Sequence, residues 1–260
     1  MQTSEPQFLS VESGGLTRRI AVRVDGDGPV TVLWCGGWRS DMGGTKAVAL
    51  ADALPAAGVR VVRFDYSGHG ESEGDYREGT IGRWLAETRA VYTAFCPGPT
   101  VIVGSSMGGW IALLLAISLS GADGATPVRG LALVAPAADF TEHLMWKRMP
   151  EEARAEMERT GAWIRPTPWG ESETITRTLL EEGRTHLILD APIRVGCPVR
   201  ILQGLADDVV PWTHALLVLE QLAEEDVVAS LVKGGDHRLS SPADLARLVE
   251  SVRDLALPAA

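Results

Sequence analysis

Cysteine is scarce in this sequence. Its three cysteines, Cys35, Cys96 and Cys197, lie far apart and form no C-x-x-C pair. An odd number at such spacing argues against a disulfide framework and against a tetrahedral zinc site. The same usage is typical of a reducing compartment. We therefore predict that the protein holds no metal ion.

Long apolar runs and clusters of basic residues are also missing. The longest apolar stretch, residues 110–119, is too short to cross a bilayer, and residues 1–10 lack the basic and apolar regions of a signal peptide. Lysine and arginine number 24 against 34 acidic residues, a net charge of −10 that argues against nucleic-acid binding. The sequence predicts a cytoplasmic protein without a membrane span, and its oligomeric state stays open.

Hydrophobic residues are plentiful, at 45% of the 260 residues, which suits one substantial core. Apolar runs rich in β-branched residues alternate with segments of helical periodicity. The predicted strands are residues 17–24, 30–34, 59–64, 100–105, 130–135, 199–204 and 227–232, and the main predicted helices are 46–54, 81–95, 107–119, 214–224 and 242–257. This alternation predicts an α/β fold with a mostly parallel central sheet and helices on both faces.

The alternation stops in the middle of the chain. Residues 138–197 show helical and loop patterns, including a helix near residues 174–182, and no convincing strand. We predict that this segment, called the cap segment below, is inserted into a core made of residues 1–137 and 198–260. A helical cap of this kind would lie above the carboxyl ends of the strands, where ligands bind in such sheets.

The stretch Val101–Trp110 predicts a strand, a sharp turn and a helix, with Ser106 at the turn. Gly104 and Gly108 flank this serine in the G-x-S-x-G pattern of a nucleophile elbow, where missing side chains let strand and helix approach. The backbone N–H of Met107 would open the helix and point at a developing oxyanion. Glycine and serine are common, so the pentapeptide also fits a turn without chemistry.

A catalytic serine needs a base and an acid. Of the five histidines, His237 follows the last predicted strand and would share the sheet edge of Ser106, although a structural loop histidine is the alternative. The loop after the preceding strand offers Asp207 and Asp208. We favour Asp207 because its D-x-x-V-P spacing resembles this loop in α/β-hydrolases, which leaves Asp208 to solvent or to a helix cap. The order serine, aspartate, histidine is that of α/β-hydrolases.

A second oxyanion donor is expected after an earlier strand, and the backbone N–H of Trp38 in Gly36-Gly37-Trp38 has that place. A tight turn without chemistry is the alternative. Apolar aromatic walls suit an acyl chain or an aromatic acid. The candidate pocket residues are Arg39, Trp146, Trp163 and Trp169. The tryptophans fit packing of the cap segment equally well, and the arginines of this region, Arg39, Arg63 and Arg165, fit either an anionic leaving group or solvation.

Several stretches carry a resemblance to a known family. They are Cys35-Gly36-Gly37, Lys46-Ala47, Arg63-Phe64-Asp65-Tyr66-Ser67-Gly68, Gly104-Ser105-Ser106-Met107-Gly108-Gly109-Trp110, Ala191-Pro192-Ile193, Asp207-Asp208-Val209-Val210-Pro211-Trp212 and Asp236-His237-Arg238. Across nearly its whole length the chain resembles an α/β-hydrolase, and these stretches resemble the mitochondrial palmitoyl-protein thioesterases that also hydrolyse acyl glucuronides. The resemblance implies a serine triad at Ser106, Asp207 and His237 that acts without a cofactor on acyl thioesters and esters.

Together these observations predict a serine hydrolase that cleaves acyl esters or thioesters through an acyl-serine intermediate, as an acyl-protein thioesterase or an acyl-glucuronide esterase. The expected partner is a small-molecule or acyl-chain substrate. Two alternatives stay open. One is a catalytically idle hydrolase fold that serves as a receptor or binding module, and the other is a peptidase or C–C hydrolase with the same triad. The sequence does not distinguish acyl chain lengths or leaving groups.

Overall fold

A computed structural model of the chain describes residues 4–121, 126–166 and 172–257. Its strands are β1 Gln7–Ser13, β2 Leu16–Asp25, β3 Val30–Cys35, β4 Val59–Phe64, β5 Thr100–Ser105, β6 Val128–Val134, β7 Ala162–Pro166, β8 Ser172–Thr176, β9 Val199–Gly204 and β10 Val227–Val232. Eight of them form one sheet in the order β1-β2-β4-β3-β5-β6-β9-β10. The pairs from β4 to β10 are parallel, whereas β1–β2 and β2–β4 are antiparallel.

Helices cover both faces of this sheet. They are α1 Thr45–Ala53, α2 Ile81–Phe95, α3 Met107–Leu119, α4 Glu151–Thr160, α5 Arg177–Gly183, α6 Trp212–Gln221 and α7 Pro242–Ala256. Residues of α1 and α7 pack on one face, and residues of α2, α3 and α6 belong to a separate apolar cluster on the other. Strands β3, β4 and β5 are buried almost throughout, because they lie between two helical layers. The predicted fold class is confirmed.

The sequence patterns missed three strands. Strand β1 pairs with β2 at one edge of the sheet and is mostly exposed, so it lacks the apolar run of a buried strand. The prediction that the cap segment holds no strand is wrong, because β7 and β8 form an antiparallel hairpin. Each has only five residues and a largely exposed or half-buried surface, which gives little periodicity to recognise. Part of the helix predicted near residues 174–182 is therefore strand, and α5 begins at Arg177.

The cap segment leaves the sheet after β6 and returns at β9, its neighbour in the sheet. Apolar residues of α4 and α5 belong to the same buried cluster as α3, so the segment packs on the core without a separate centre. Its division from the core at residues 138 and 197 stays a prediction. Within the described ranges, no helix combines the length and the apolar character needed to cross a bilayer.

Four loops reach the same edge of the sheet, because β3, β5, β9 and β10 run parallel. They follow Cys35, Ser105, Gly204 and Val232. These loops carry the residues singled out for chemistry. The topology therefore places candidate nucleophile, acid, base and oxyanion donor at one edge.

Candidate active site

Ser106 occupies the turn between β5 and α3 with φ 55° and ψ −120°, a conformation that side-chain-bearing residues rarely adopt. Backbone hydrogen bonds hold it there. Its N–H donates to the carbonyl oxygen of Val134 at 2.9 Å, and its own carbonyl oxygen accepts from the N–H groups of Gly109 at 2.9 Å and Ala137 at 3.1 Å. These bonds offset the strain and direct the side chain away from the sheet.

The two glycines of the elbow are required by close backbone approaches. A Cβ at Gly104 would lie 2.3 Å from the carbonyl oxygen of Gly108, and a Cβ at Gly108 would lie 2.1 Å from the carbonyl oxygen of Cys35. Both distances are far below van der Waals contact. The start of α3 therefore packs directly on the backbone of β5 and on the end of β3.

His237 connects the other two candidate residues. Its Nε2 lies 3.1 Å from the Oγ of Ser106, and its Nδ1 lies 2.8 Å from the Oδ2 of Asp207. An ionised carboxylate only accepts hydrogen bonds, so Nδ1 carries the proton and donates to Asp207. The lone pair of Nε2 is then available to accept the hydroxyl proton of Ser106.

The carboxylate of Asp207 is surrounded by donors, and its side chain is 0% exposed. Besides His237, the donors are the backbone N–H groups of Val209 at 2.9 Å and Val210 at 2.8 Å, and the side-chain amide of Gln203 at 3.2 Å. Burial alone would raise the pKa of Asp207, but the hydrogen bonds from His237 and the two backbone N–H groups lower it below its ordinary value. The group is therefore ionised at neutral pH. Asp208, by contrast, is exposed.

The loop that carries His237 is fixed from two directions. The carboxylate of Asp236 accepts from the N–H groups of Arg238 at 3.1 Å and Leu239 at 2.9 Å. Lys46 of α1 donates through Nζ to the carbonyl oxygen of Arg238 at 2.5 Å. Burial lowers the pKa of Lys46 to about 8, although Asp236 counteracts this. These contacts limit the movement of the histidine relative to the sheet.

Residues Gly37–Ser40 form a tight turn beside the serine, called the oxyanion turn below. The N–H and hydroxyl of Ser40 donate to the carbonyl oxygen of Gly37 at 3.2 and 2.7 Å. A Cβ at Gly37 would lie 3.4 Å from the Cβ of Ser106, so the backbone passes directly beside the serine. Trp38 follows in this turn. Met107 begins α3, and the first N–H groups of a helix have no partner within it.

The candidate pocket residues have different surroundings. Trp38 packs against Phe140, with ring centroids 5.7 Å apart, and Phe140 also contacts Trp110 edge-on at 5.7 Å. The ring of Trp146 lies 5.0 Å from the guanidinium of Arg154 and 5.0 Å from that of Arg184, which is a packing arrangement within the cap segment. Trp163 is half-buried and packs on the main apolar cluster, and Trp169 lies outside the described residues.

The three arginines considered for an anionic leaving group also have different surroundings. Arg63 is 1% exposed and donates to Asp25 and to the carbonyl oxygen of Met42, which makes it part of the core. Arg39 and Arg165 both approach the carboxylate of Glu173. Glu173 and Gln203 are absent from the site residues predicted from the sequence. Gln203 had one signal, since a polar residue near the end of a buried strand needs a partner.

Known proteins that are similar to this chain identify its family. The family model of the alpha/beta hydrolase family matches residues 32–248. The mitochondrial palmitoyl-protein thioesterase ABHD10 from Homo sapiens is 36% identical over 228 residues, which cover 86% of this chain and 72% of the relative. A putative hydrolase from Agrobacterium vitis S4 has a TM-score of 0.93 and 43% identity, covering 98% of this chain and 100% of that one. Alpha/beta hydrolase domain-containing protein 10 from mouse has a TM-score of 0.85 and 33% identity, covering 97% and 98%.

The predicted cytoplasmic location is contradicted by the palmitoyl-protein thioesterase relatives, which are named as mitochondrial proteins. That prediction depended on residues 1–10, on the short apolar run at residues 110–119 and on the cysteine usage, and cysteine usage does not distinguish one reducing compartment from another. The resemblance drawn from the sequence motifs is confirmed. With the family model matching residues 32–248 and relatives at 36% identity, the chain belongs to the alpha/beta hydrolase family.

Proposed function

We propose that Ser106, His237 and Asp207 form the catalytic triad of a serine hydrolase that cleaves acyl esters or thioesters. The observation that carries this proposal is the continuous chain of two contacts. Ser106 Oγ lies 3.1 Å from His237 Nε2, and His237 Nδ1 lies 2.8 Å from Asp207. These are hydrogen-bond distances at which a histidine can act as general base for a serine.

In the proposed reaction, His237 Nε2 takes the proton of Ser106 as its Oγ attacks the acyl carbonyl carbon. The ionised Asp207 stabilises the imidazolium that forms. The N–H groups of Met107 and Trp38 donate to the negative oxygen of the tetrahedral intermediate. The imidazolium then gives its proton to the departing alcohol or thiol, which leaves an acyl-serine. Water, deprotonated by the same nitrogen, releases the carboxylic acid and regenerates Ser106.

For the substrate we propose acyl thioesters first and acyl esters, including acyl glucuronides, second. The relatives named palmitoyl-protein thioesterases favour a thioester. Trp38 of the oxyanion turn is half-buried and offers an apolar surface to an acyl group, while the buried rings of Phe140 and Trp110 support it. We include Arg39, Trp146 and Trp163 in the proposed pocket region, with the cap segment above it.

The test replaces each serine of the elbow in turn. We expect Ser106→Ala to lower kcat/KM for p-nitrophenyl esters by at least about 10³-fold and to abolish labelling by a fluorophosphonate probe, because the nucleophile is removed. Ser105→Ala is the matched control, since this neighbouring serine belongs to β5, and it should still be labelled. Labelling of the Ser106→Ala variant would place the nucleophile elsewhere.

A substrate panel completes the assignment. The same acyl group is presented as a thioester, a simple ester and an acyl glucuronide, and stopped-flow measurements follow the first turnover. A serine hydrolase releases the leaving group in a burst when deacylation is slow. Tight binding of the acyl group without any product from all three would instead indicate a receptor with an idle triad.

A further inference from the structure

Gln203 is a buried polar residue on a face of β9 that is otherwise apolar. Its side chain is 0% exposed, and Val199 and Ile201 on the same face belong to the main apolar cluster. The side-chain oxygen Oε1 is buried and has no hydrogen-bond partner within the described ranges. A buried polar atom without a partner opposes folding. Packing alone therefore does not account for a glutamine at this position.

The side-chain nitrogen of Gln203, Nε2, is surrounded by three oxygen atoms. The carbonyl oxygen of Gly204 lies at 2.9 Å, that of Val210 at 3.1 Å, and Oδ2 of Asp207 at 3.2 Å. Carbonyl oxygens and an ionised carboxylate only accept hydrogen bonds, so the nitrogen of the amide must face them. The surroundings therefore determine which way the amide points.

These contacts close the loop between β9 and α6, residues 205–211, called the acid loop below. Gln203 Nε2 connects Gly204, just before the loop, with Val210 near its end. Val210 in turn donates its N–H to Oδ1 of Asp207 at 2.8 Å. A closed ring of hydrogen bonds consequently joins the glutamine, the valine backbone and both oxygens of the aspartate.

The oxygen of Asp207 that Gln203 contacts is also the one that faces the base. Oδ2 accepts from His237 Nδ1 at 2.8 Å, whereas Oδ1 accepts from the backbone N–H groups of Val209 and Val210. The torsion about the Cβ–Cγ bond of an aspartate is soft. Of the described donors to Oδ2, His237 alone would be left without Gln203. The glutamine therefore limits a rotation that would misalign the acceptor and the histidine.

We infer that Gln203 is a positioning residue for the triad, which holds Oδ2 of Asp207 toward His237. The inference rests on the proposed function of Ser106, His237 and Asp207. Gln203 is buried and acts through the aspartate, so its removal should slow the chemical steps and leave substrate binding unchanged. A tie that only closes the acid loop is the structural alternative, because two of the three acceptors are backbone carbonyls.

The experiment is a double-mutant cycle on steady-state kinetics with one p-nitrophenyl ester. Gln203→Met keeps the length of the side chain and removes both the donor and the oxygen without a partner. We expect it to lower kcat about ten- to thirty-fold with KM within two-fold of wild type, because a misaligned catalytic group slows the chemistry. In an Asp207→Ala background the same substitution should change kcat by less than two-fold, because the carboxylate through which it acts is gone.

The matched control is Thr31→Val, which removes another buried oxygen that has no partner among the residues described. Strands β5 and β6 separate β3, which carries Thr31, from β9, so kcat should stay within two-fold of wild type. Gln203→Leu takes the place of Gln203→Met in the cycle if the latter folds poorly, as urea denaturation would show.

Two results would overturn the inference. One is a wild-type kcat in Gln203→Met, and the other is the same factor of loss with and without the carboxylate of Asp207. Either would leave Gln203 as a tie within the acid loop. Failure of the proposed function is separate, because it would appear as a wild-type kcat in Asp207→Ala itself.

Discussion

Two adjacent carboxylates, Asp207 and Asp208, have the same chemistry and opposite surroundings. The first is buried and accepts from His237, from Gln203 and from two backbone N–H groups. The second is exposed. The D-x-x-V-P spacing favoured Asp207 without showing these donors. The environment thus explains a preference that the sequence supported only by resemblance.

Replacing each carboxylate by its amide tests the difference. An asparagine at position 207 keeps the size of the side chain but exchanges an accepting oxygen for a donating nitrogen, which would face a donor such as His237 Nδ1. We expect Asp207→Asn to lower kcat by about 10³- to 10⁴-fold, as expected when the histidine loses its correct tautomer. Asp208→Asn should retain kcat within two-fold. Steady-state kinetics on one ester decides, and similar losses in both variants would refute the assignment.

For single residues, the sequence predicts a role in the site where the residue belongs to a motif or follows a strand at the shared sheet edge. Ser106 has its G-x-S-x-G pattern, and His237 has its place after the last strand. Glu173 has neither, because its contacts with Arg39 join distant parts of the chain through a hairpin that the periodicity did not show. The choice between pocket and packing roles for Trp146 likewise depends on two arginines from different elements.

The conformation of the elbow, the turn from β5 into α3 at Ser106, depends on close backbone contacts more than on side-chain packing. Gly108 stands in the first turn of α3, where a Cβ would lie 2.1 Å from the carbonyl oxygen of Cys35 and 2.4 Å from that of Gly36. Both oxygens belong to backbone that leads into the oxyanion turn. A methyl group here would therefore move the turn away from Ser106.

We expect Gly108→Ala to lower the free energy of unfolding by about 1–3 kcal/mol, the usual cost of overpacking, and to lower kcat for esters at the same time. Gly234→Ala is the control, since a Cβ at that glycine would meet open space. Urea denaturation and steady-state kinetics measure the two effects. A variant with full activity and stability would show that the helix shifts freely, contrary to the contact described.

Element bounds were predictable where an apolar run begins and ends sharply in the sequence. Strands β4, β5, β9 and β10 have the predicted limits, whereas the buried strand β6 begins two residues before its predicted start and ends one residue before its predicted end. Strand β1 and the β7–β8 hairpin were missed, because exposed strands carry mixed residues and depend on pairing partners for their conformation. Pairing of this kind depends on the fold, and the residue pattern of the strand itself indicates it only weakly.

At the scale of the whole molecule, the cap segment and the core meet at a buried histidine. His214 of α6 is 4% exposed, and its Nε2 donates to the carbonyl oxygen of Ala138 at 2.7 Å. The ring of His143 in the cap segment lies 6.1 Å away, centroid to centroid. The pKa of His214 is lowered from 6.5 to about 4, chiefly by burial; the hydrogen bond to Ala138 opposes this decrease, and the nearby His143 and Arg148 contribute to it. The junction is therefore built for a neutral imidazole.

Asp65 is a second buried titratable group, and its protonation favours folding, whereas protonation of His214 opposes folding. Burial raises the pKa of Asp65 to about 6, while hydrogen bonds from the N–H groups of Glu71 and Met42 counteract it. The folded state then binds a proton more readily than the unfolded state, so Asp65 contributes stability as the pH falls through about 6. In the same range His214 contributes the reverse. Because the two contributions oppose each other, the pH dependence of wild-type stability alone does not isolate either one.

The contribution of His214 appears in the difference between the wild type and His214→Gln, whose amide can still donate to Ala138. Between the unfolded pKa of 6.5 and the folded pKa of about 4, the unfolded state binds more protons, so folding becomes less favourable as the pH falls. We expect the stability of the wild type relative to the variant to drop by roughly 2–3 kcal/mol from about pH 7 to about pH 4.5. Urea denaturation of both proteins at matched pH values measures this difference, in which the contribution of Asp65 cancels. A difference that stays constant over the range would show that His214 binds its proton equally well in both states, and that the junction tolerates a charge.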